Sequence, residues 1–328
     1  MIIAGEVYMY KCRVCGEENP IETTQIVELI NVRQDVNSKF EYFKCSSCGS
    51  IQIIDIPDNL GDYYDNDTYY SFGSKKSISG FNLIKKKIKP LIMGSSIYRR
   101  LKSDWLGTAE EKLRNIKEID FNNKKQKILD VGCGSGDFLN RLRCLGFKNV
   151  MGMDPFISED FETDNGVLIK SVTIDKVEGK WDQIWMIHSF EHVVDPLDTL
   201  IAAEGKLSPD GVLIMELPVC DSYEYERYGK YWTGCDAPVH IVMHTKKGLE
   251  ILFQKAGLKL VNIYNSASDD FLKLSEMTER GYCLNEVDSE KIKAVLGTEK
   301  LNELHNTMDR INKEKISGLV TYIIKRYK

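Results

Sequence analysis

With 328 residues, 42% of them hydrophobic and 28% charged, the chain is long enough for one large domain with a sizeable core plus a smaller appendage. No apolar run approaches the roughly 18 residues of a membrane span, and the N-terminus lacks the basic-then-apolar pattern of a secretory signal, so the expected address is the cytoplasm. A formal net charge of -5 argues against a nucleic-acid binder, although it conceals a basic stretch from Lys75 to Lys127, with fifteen Lys and Arg against five Asp and Glu.

Residues 1–58 read as a small module. From Tyr8 to Ile56 short strands and turns hang between Cys12-Arg13-Val14-Cys15 and Cys45-Ser46-Ser47-Cys48. Gly16 and Gly49 follow the two pairs, where a tight turn can aim amides at thiolates. In a reducing compartment this paired spacing predicts a metal, not disulfides. Four thiolates complete a tetrahedral zinc site and leave no position for a catalytic water, so Cys12, Cys15, Cys45 and Cys48 are expected to hold a structural Zn2+. The scattered Cys133, Cys144, Cys220, Cys235 and Cys283 read as thiols.

Residues 59–126 begin with a turn and tyrosine cluster, Leu60 to Tyr64 and Tyr69-Tyr70-Ser71-Phe72. Tyr69 and Tyr70 are candidates to stack on a substrate or to pack between modules. The stretch from Phe81 to Lys117 mixes apolar and basic residues as amphipathic helices broken by Pro90 and Gly94. Two readings stay open: a helical layer on the main domain, or a basic face for a phosphate-bearing or lipid-linked substrate at a membrane surface.

From 127 to 328 strands and helices alternate. Strands are expected at Ile128–Val131, Val150–Met153, Gln183–Ile187, Val212–Glu216 and Leu258–Asn265, with helices at Phe138–Leu145, Leu197–Leu207 and Lys246–Ala256. A charged helical stretch, Ser289 to Lys315, precedes a last strand at Leu319–Ile324. Apolar strands alternating with helices predict a parallel α/β sheet covered on both faces.

The first strand runs into Leu129-Asp130-Val131-Gly132-Cys133-Gly134-Ser135-Gly136-Asp137-Phe138, a glycine-rich turn opening a helix. Such a turn lets a ligand lie against bare backbone. The next strand ends in Met153-Asp154-Pro155, placing a carboxylate where it can accept both hydroxyls of a ribose. Here the sequence resembles class I S-adenosylmethionine methyltransferases, over Lys127 to Ile263. His188-Ser189-Phe190-Glu191-His192-Val193 continues the likeness, with Phe190 in place of the usual Leu, and Ser208-Pro209-Asp210-Gly211 matches the family's loop before its fifth strand.

The resemblance implies a Rossmann-like sheet, mostly parallel with an antiparallel last strand. It further implies that S-adenosylmethionine lies along the turn from Asp130 through Gly132, Gly134 and Gly136 to Phe138. Asp130 would support the ammonium group and Asp154 the ribose. Pro155 or Met153 would pack on adenine, with Val172, Thr173 and Ile174 as the other wall and His188 near the cofactor.

A hydroxyl acceptor benefits from a base tuned near neutral pH, for which histidine is best suited. His188, at the carboxyl end of a central strand, is a candidate catalytic residue or a cofactor contact. Glu191 is also a candidate, whereas His192 reads as a local polar contact. Tyr231 to His240 resembles an aromatic-then-Pro-x-His segment in a branch of the family that methylates sugars and often carries a zinc ribbon and a Tyr-Tyr segment, so His240 is a third candidate. The resulting expectation is methyl transfer to a nucleotide-linked sugar or a surface-polysaccharide unit, at oxygen or carbon. The expected partners are a small molecule or glycan, with nucleic acid not among them. The alternative is an RNA methyltransferase using the ribbon and the basic stretch. Sequence alone leaves the oligomeric state open.

Overall fold

A computed structural model describes residues 8–64, 116–265 and 267–327. Tyr69, Tyr70 and the basic stretch up to residue 115 lie outside the described residues. The chain forms two compact units, one of Met1–Tyr64, Ile187–Gly205 and Ile214–Lys328, the other of Asp65–Met186 and Lys206–Leu213.

The first unit opens with a hairpin of β1 (Met9–Lys11) on β2 (Glu18–Pro20). A longer hairpin follows, β3 (Ile26–Asn31) against β4 (Asp35–Lys44), with Leu29 opposite Phe40. Asn31 closes its turn by accepting the amides of Arg33 and Gln34 on its side-chain oxygen at 3.0 and 2.8 Å, a local bond that favours Asn at turns. β5 (Ile51–Ile53) pairs with the end of β4. Leu29, Ile30, Tyr42, Phe43, Ile51 and Ile53 are all buried, so these short strands contribute a real apolar core beside the cysteines.

The second unit holds the expected alternation. β6 (Lys127–Val131), α1 (Asp137–Cys144) and β7 (Asn149–Met153) lie within a residue or two of the ranges expected from sequence. β8 (Phe161–Glu162) and β9 (Leu168–Lys170) follow, then β10 (Trp181–Ile187). β6 sits between β10 and β7, parallel to both, which puts Asp130 in register with Trp185 on one side and Gly152 on the other. β9 extends the sheet in parallel from β7, and β8 closes that edge antiparallel. The β8–β9 hairpin, two and three residues long, is too short for a period to show in the sequence. Ile128, Leu129, Ile184 and Met186 are buried, as continuous apolar runs in a parallel sheet require.

α2 (Pro196–Lys206) leads into β11 (Leu207–Pro218), whose residues to Leu213 belong to the second unit and from Ile214 to the first. Ser208 to Gly211, expected as a loop, is the start of this strand. Ser208 Oγ donates to Asp182 at 2.9 Å, and any Cβ on Gly211 would meet the carbonyl oxygen of Trp181 at 2.9 Å.

The first unit is completed by α3 (Tyr223–Tyr228), β12 (Val242–Met243), α4 (Lys246–Lys255), β13 (Leu258–Asn265), α5 (Asp270–Glu279), α6 (Ser289–Lys313) and β14 (Leu319–Arg326). β13 and β14 pair antiparallel, and β14 neighbours β11. Parallel central strands with this antiparallel ending make the Rossmann-like class I methyltransferase sheet. The charged helical stretch expected from Ser289 is two helical pieces meeting at Gly297, which has φ 71° and ψ 166°. β12 adds to β5, giving the order β12-β5-β4-β3.

α4 also holds the cysteine segment. Its N-cap Thr245 accepts the amide of Gly248 at 2.9 Å and donates to the Cys48 carbonyl at 2.7 Å. Lys247 and Lys255 donate to the carbonyls of Ser47 and Cys15, both at 2.6 Å. No helix among the described residues is long and apolar enough to cross a membrane.

Candidate active site and metal centre

The turn after β6 is built on three left-handed backbones, Gly132 at φ 73°, Gly134 at 51° and Gly136 at 76°, conformations that a Cβ disfavours. Two amides of the turn, Gly132 and Cys133, donate to the Met153 carbonyl at 2.8 and 3.2 Å. Gly134 N donates to Asp154 at 2.9 Å, and the Phe156 amide donates to the other oxygen of the same carboxylate at 2.9 Å. Asp154 is thereby fixed at the end of β7 against the glycine turn. The close approach depends on Gly152, because a Cβ there would lie 2.4 Å from Cys133 Sγ and 2.6 Å from Ile169.

Asp130 is buried, and burial together with the neighbouring Asp154 charge pushes its carboxyl up to about 7. A buried acid in that state lacks a cation, which is what an amino-acid ammonium group would supply. Phe138, on the first turn of α1, has its ring 5.0 Å from that of Trp185. Pro155 and Thr173 are exposed and Val172 is half-buried, with Thr173 Oγ1 donating to Asp175. The donor set, two carboxyls and a bare-backbone turn, fits S-adenosylmethionine.

His188 follows β10 directly and belongs to the first unit. It has a φ of 48°, rare and strained for a residue with a Cβ, and its amide donates to the Glu216 carbonyl at 2.8 Å. Its side chain is 44% exposed, with Nδ1 3.6 Å from Glu191 Oε1 and Nε2 3.9 Å from Glu216 Oε1. Glu216, whose other oxygen accepts from Thr321 Oγ1 at 2.7 Å, is a site residue that the sequence did not single out. Its signal was its place at the carboxyl end of a strand.

Glu191 lies in the 3-10 turn Phe190–His192 and is fully buried. Burial alone would raise its pKa, but His188, His192 and His240 outweigh that and hold it at about 2. His240 is 7% exposed, and burial, with His192 adding to it, lowers its pKa to about 4. Its Nδ1 is 2.9 Å from the Gly234 carbonyl, and its own carbonyl accepts from Tyr42 OH at 2.9 Å. His192 places Nδ1 2.8 Å from the Val239 carbonyl and 3.0 Å from Tyr64 OH. Its place beside Glu191 and His240 goes beyond the local role expected of it. Asp236 in the same segment is gripped by Arg33 through two bonds at 3.0 and 2.7 Å.

The four cysteines converge. Cys12 and Cys48 sulfurs are 3.7 Å apart and Cys15 and Cys45 sulfurs 3.5 Å apart, far beyond the ~2.05 Å of a disulfide and close to the ~3.8 Å edge of a tetrahedron with Zn–S bonds of ~2.3 Å. Cys12 Sγ also receives the amides of Val14 and Cys15 at 3.4 Å and Gln52 Nε2 at 2.9 Å. A hydrogen bond from Cys48 and these donors pull its thiol down to about 4. The four-cysteine cluster fits zinc.

Residues 105–263 match the family model described as a methyltransferase domain. The described residues of that span form the parallel strands and glycine turn of the class I S-adenosylmethionine methyltransferase fold. Among the relatives, the tRNA U34 carboxymethyltransferase of Shewanella baltica (strain OS155 / ATCC BAA-1091) is 29% identical over 157 residues, covering 42% of this chain and 45% of its own length. That of Pseudoalteromonas translucida (strain TAC 125) is 26% identical over 192 residues, covering 54% and 56%. The chain spans about half the length of these relatives. The structure of coclaurine N-methyltransferase bound to N-methylheliamine and SAH overlays with a TM-score of 0.40 at 15% identity, over 67% of this chain and 69% of that one, too distant to carry an argument about function.

The exclusion of nucleic acid drawn from the net charge is corrected by these relatives, which are named as tRNA-modifying enzymes. Net charge sums over the whole surface, whereas phosphate contact depends on local Lys and Arg, and the stretch from Lys75 to Lys127 is strongly basic.

Proposed function

We propose that the chain transfers the methyl group of S-adenosylmethionine to an acidic O–H or N–H on an RNA base, with tRNA as the acceptor class. The repeated similarity to tRNA U34 carboxymethyltransferases carries this reading. The cofactor supplies a methyl carbon already activated on sulfonium. Asp130 would hold the ammonium end, Asp154 the ribose, and Gly132 to Gly136 would leave room for the chain between them. His188 takes the acceptor's proton, and Glu191 and Glu216 beside its two nitrogens stabilise the imidazolium that results. A tRNA acceptor would place the chain in the cytoplasm.

A sugar hydroxyl is the second reading, favoured by the Pro238-Val239-His240 segment and served by the same base. Purified chain with methyl-labelled cofactor, offered total tRNA in one arm and nucleotide sugars with glycan extracts in another, separates the two. Label in tRNA is expected, with His188→Asn lowering kcat by about 10²–10⁴ while cofactor affinity changes little. Label confined to the sugar arm would replace the RNA reading with the second one, and full activity in His188→Asn would remove the base from either.

A further inference from the structure

We propose that Glu191, His192 and His240 form a second metal site, one that takes a divalent ion of zinc's class independently of the four-cysteine cluster. One ligand atom from each of these three residues lies within 4.8 Å of the other two. Bonds of ~2.0–2.2 Å would need each side chain to close in by less than about 1 Å.

The Glu191 carboxylate is wholly buried and neither of its oxygens accepts a hydrogen bond among the described residues, the half-exposed His188 ring coming to 3.6 Å of Oε1. An ionised group there needs a compensating positive charge.

The two imidazoles are posed to help hold one. The Gly234 carbonyl can only accept, so the 2.9 Å contact fixes a proton of His240 on Nδ1. Nε2 is then the ring nitrogen turned to the carboxylate, 3.9 Å from Glu191 Oε1, too far for a direct hydrogen bond and near enough for one ion to join both. His192 Nδ1 likewise meets a backbone carbonyl, that of Val239, at 2.8 Å, with Tyr64 OH 3.0 Å away. A ring nitrogen pinned to a backbone carbonyl while the other is offered as ligand is how metal-binding histidines are oriented.

The rings are held rigidly, with centroids 4.8 Å apart and planes at 76°. Tyr42 OH on the His240 carbonyl and Arg33 on Asp236 brace the segment that carries His240. Two imidazole nitrogens and a carboxylate oxygen suit zinc and its neighbours in preference to magnesium or calcium, and three protein ligands leave a fourth position open. The proposal does not depend on the acceptor, because its readout is metal content and not activity.

The test is a count of metal on the purified full chain. Mass spectrometric metal analysis is expected to find about two zinc ions per chain, falling to about one in Glu191→Gln and in His240→Asn. Cobalt separates the sites without any variant: the ion held by the four cysteines gives thiolate charge-transfer bands in the near ultraviolet, and a second equivalent is expected to add visible bands without them. A wild-type chain that stops at one equivalent overturns the proposal, as does a second equivalent retained in both variants.

Discussion

Asp130 shows how one buried side chain couples chemistry to pH. Its carboxyl sits at about 7 because burial and the Asp154 charge oppose ionisation, and the Cys133 thiol beside it is itself raised by burial. An ammonium group bound against Asp130 favours its ionised form. Below about 7 the site must therefore lose a proton before it can bind, and affinity for S-adenosylmethionine should fall up to about tenfold for each pH unit between 7 and 5. Isothermal titration at pH 5, 6, 7 and 7.5 is expected to show that fall levelling off above 7, and to show it abolished in Asp130→Asn. An affinity constant across this range would remove Asp130 from the ammonium site. The glycines at 132, 134 and 136 were legible as a turn because positive φ is a local demand. The need for Gly152 was not, since Cys133 and Ile169 meet it only once β6, β7 and β9 are side by side.

Among the elements, α4 and the cysteine segment depend on each other. Gly248 lies inside α4, yet a Cβ there would approach Ser50 Oγ to 2.6 Å and Val14 to 3.0 Å. Gly205 lies inside α2, and no atom of the described residues comes within 4 Å of its would-be Cβ. Propensity alone predicts that both gain from a side chain, whereas packing predicts opposite outcomes. Gly205→Ala is expected to be neutral or to stabilise by up to about 1 kcal/mol. Gly248→Leu should destabilise by about 1–3 kcal/mol through overpacking. Thermal unfolding of the two variants checks this, and equal melting temperatures would contradict the docking of α4 on the cysteine segment.

For the molecule as a whole, the uneven charge matters more than the sum. Fifteen basic residues between Lys75 and Lys127 sit in a chain of net charge -5, so acceptor binding should combine local attraction with overall repulsion. If the acceptor is tRNA, its affinity should fall by about tenfold or more between 50 and 200 mM salt, read by fluorescence anisotropy with labelled tRNA. Binding that ignores salt would count against phosphate contact and with it the RNA reading.

By itself the sequence determined the alternation of β6, β7, β10 and β11 with their helices, the glycine turn, the acid one strand later and the four-cysteine spacing. Each of these is set by backbone sterics, hydrophobic period or ligand spacing over a few residues, and so survives in one dimension. Only the tertiary structure decided that β12 completes the sheet of the cysteine segment, and that His192 and His240, nearly fifty positions apart, meet at Glu191. Such meetings follow from the packing of distant segments, which no local pattern encodes. The sequence offers Glu191 as a candidate catalytic residue, but only the packing buries it beside the two rings.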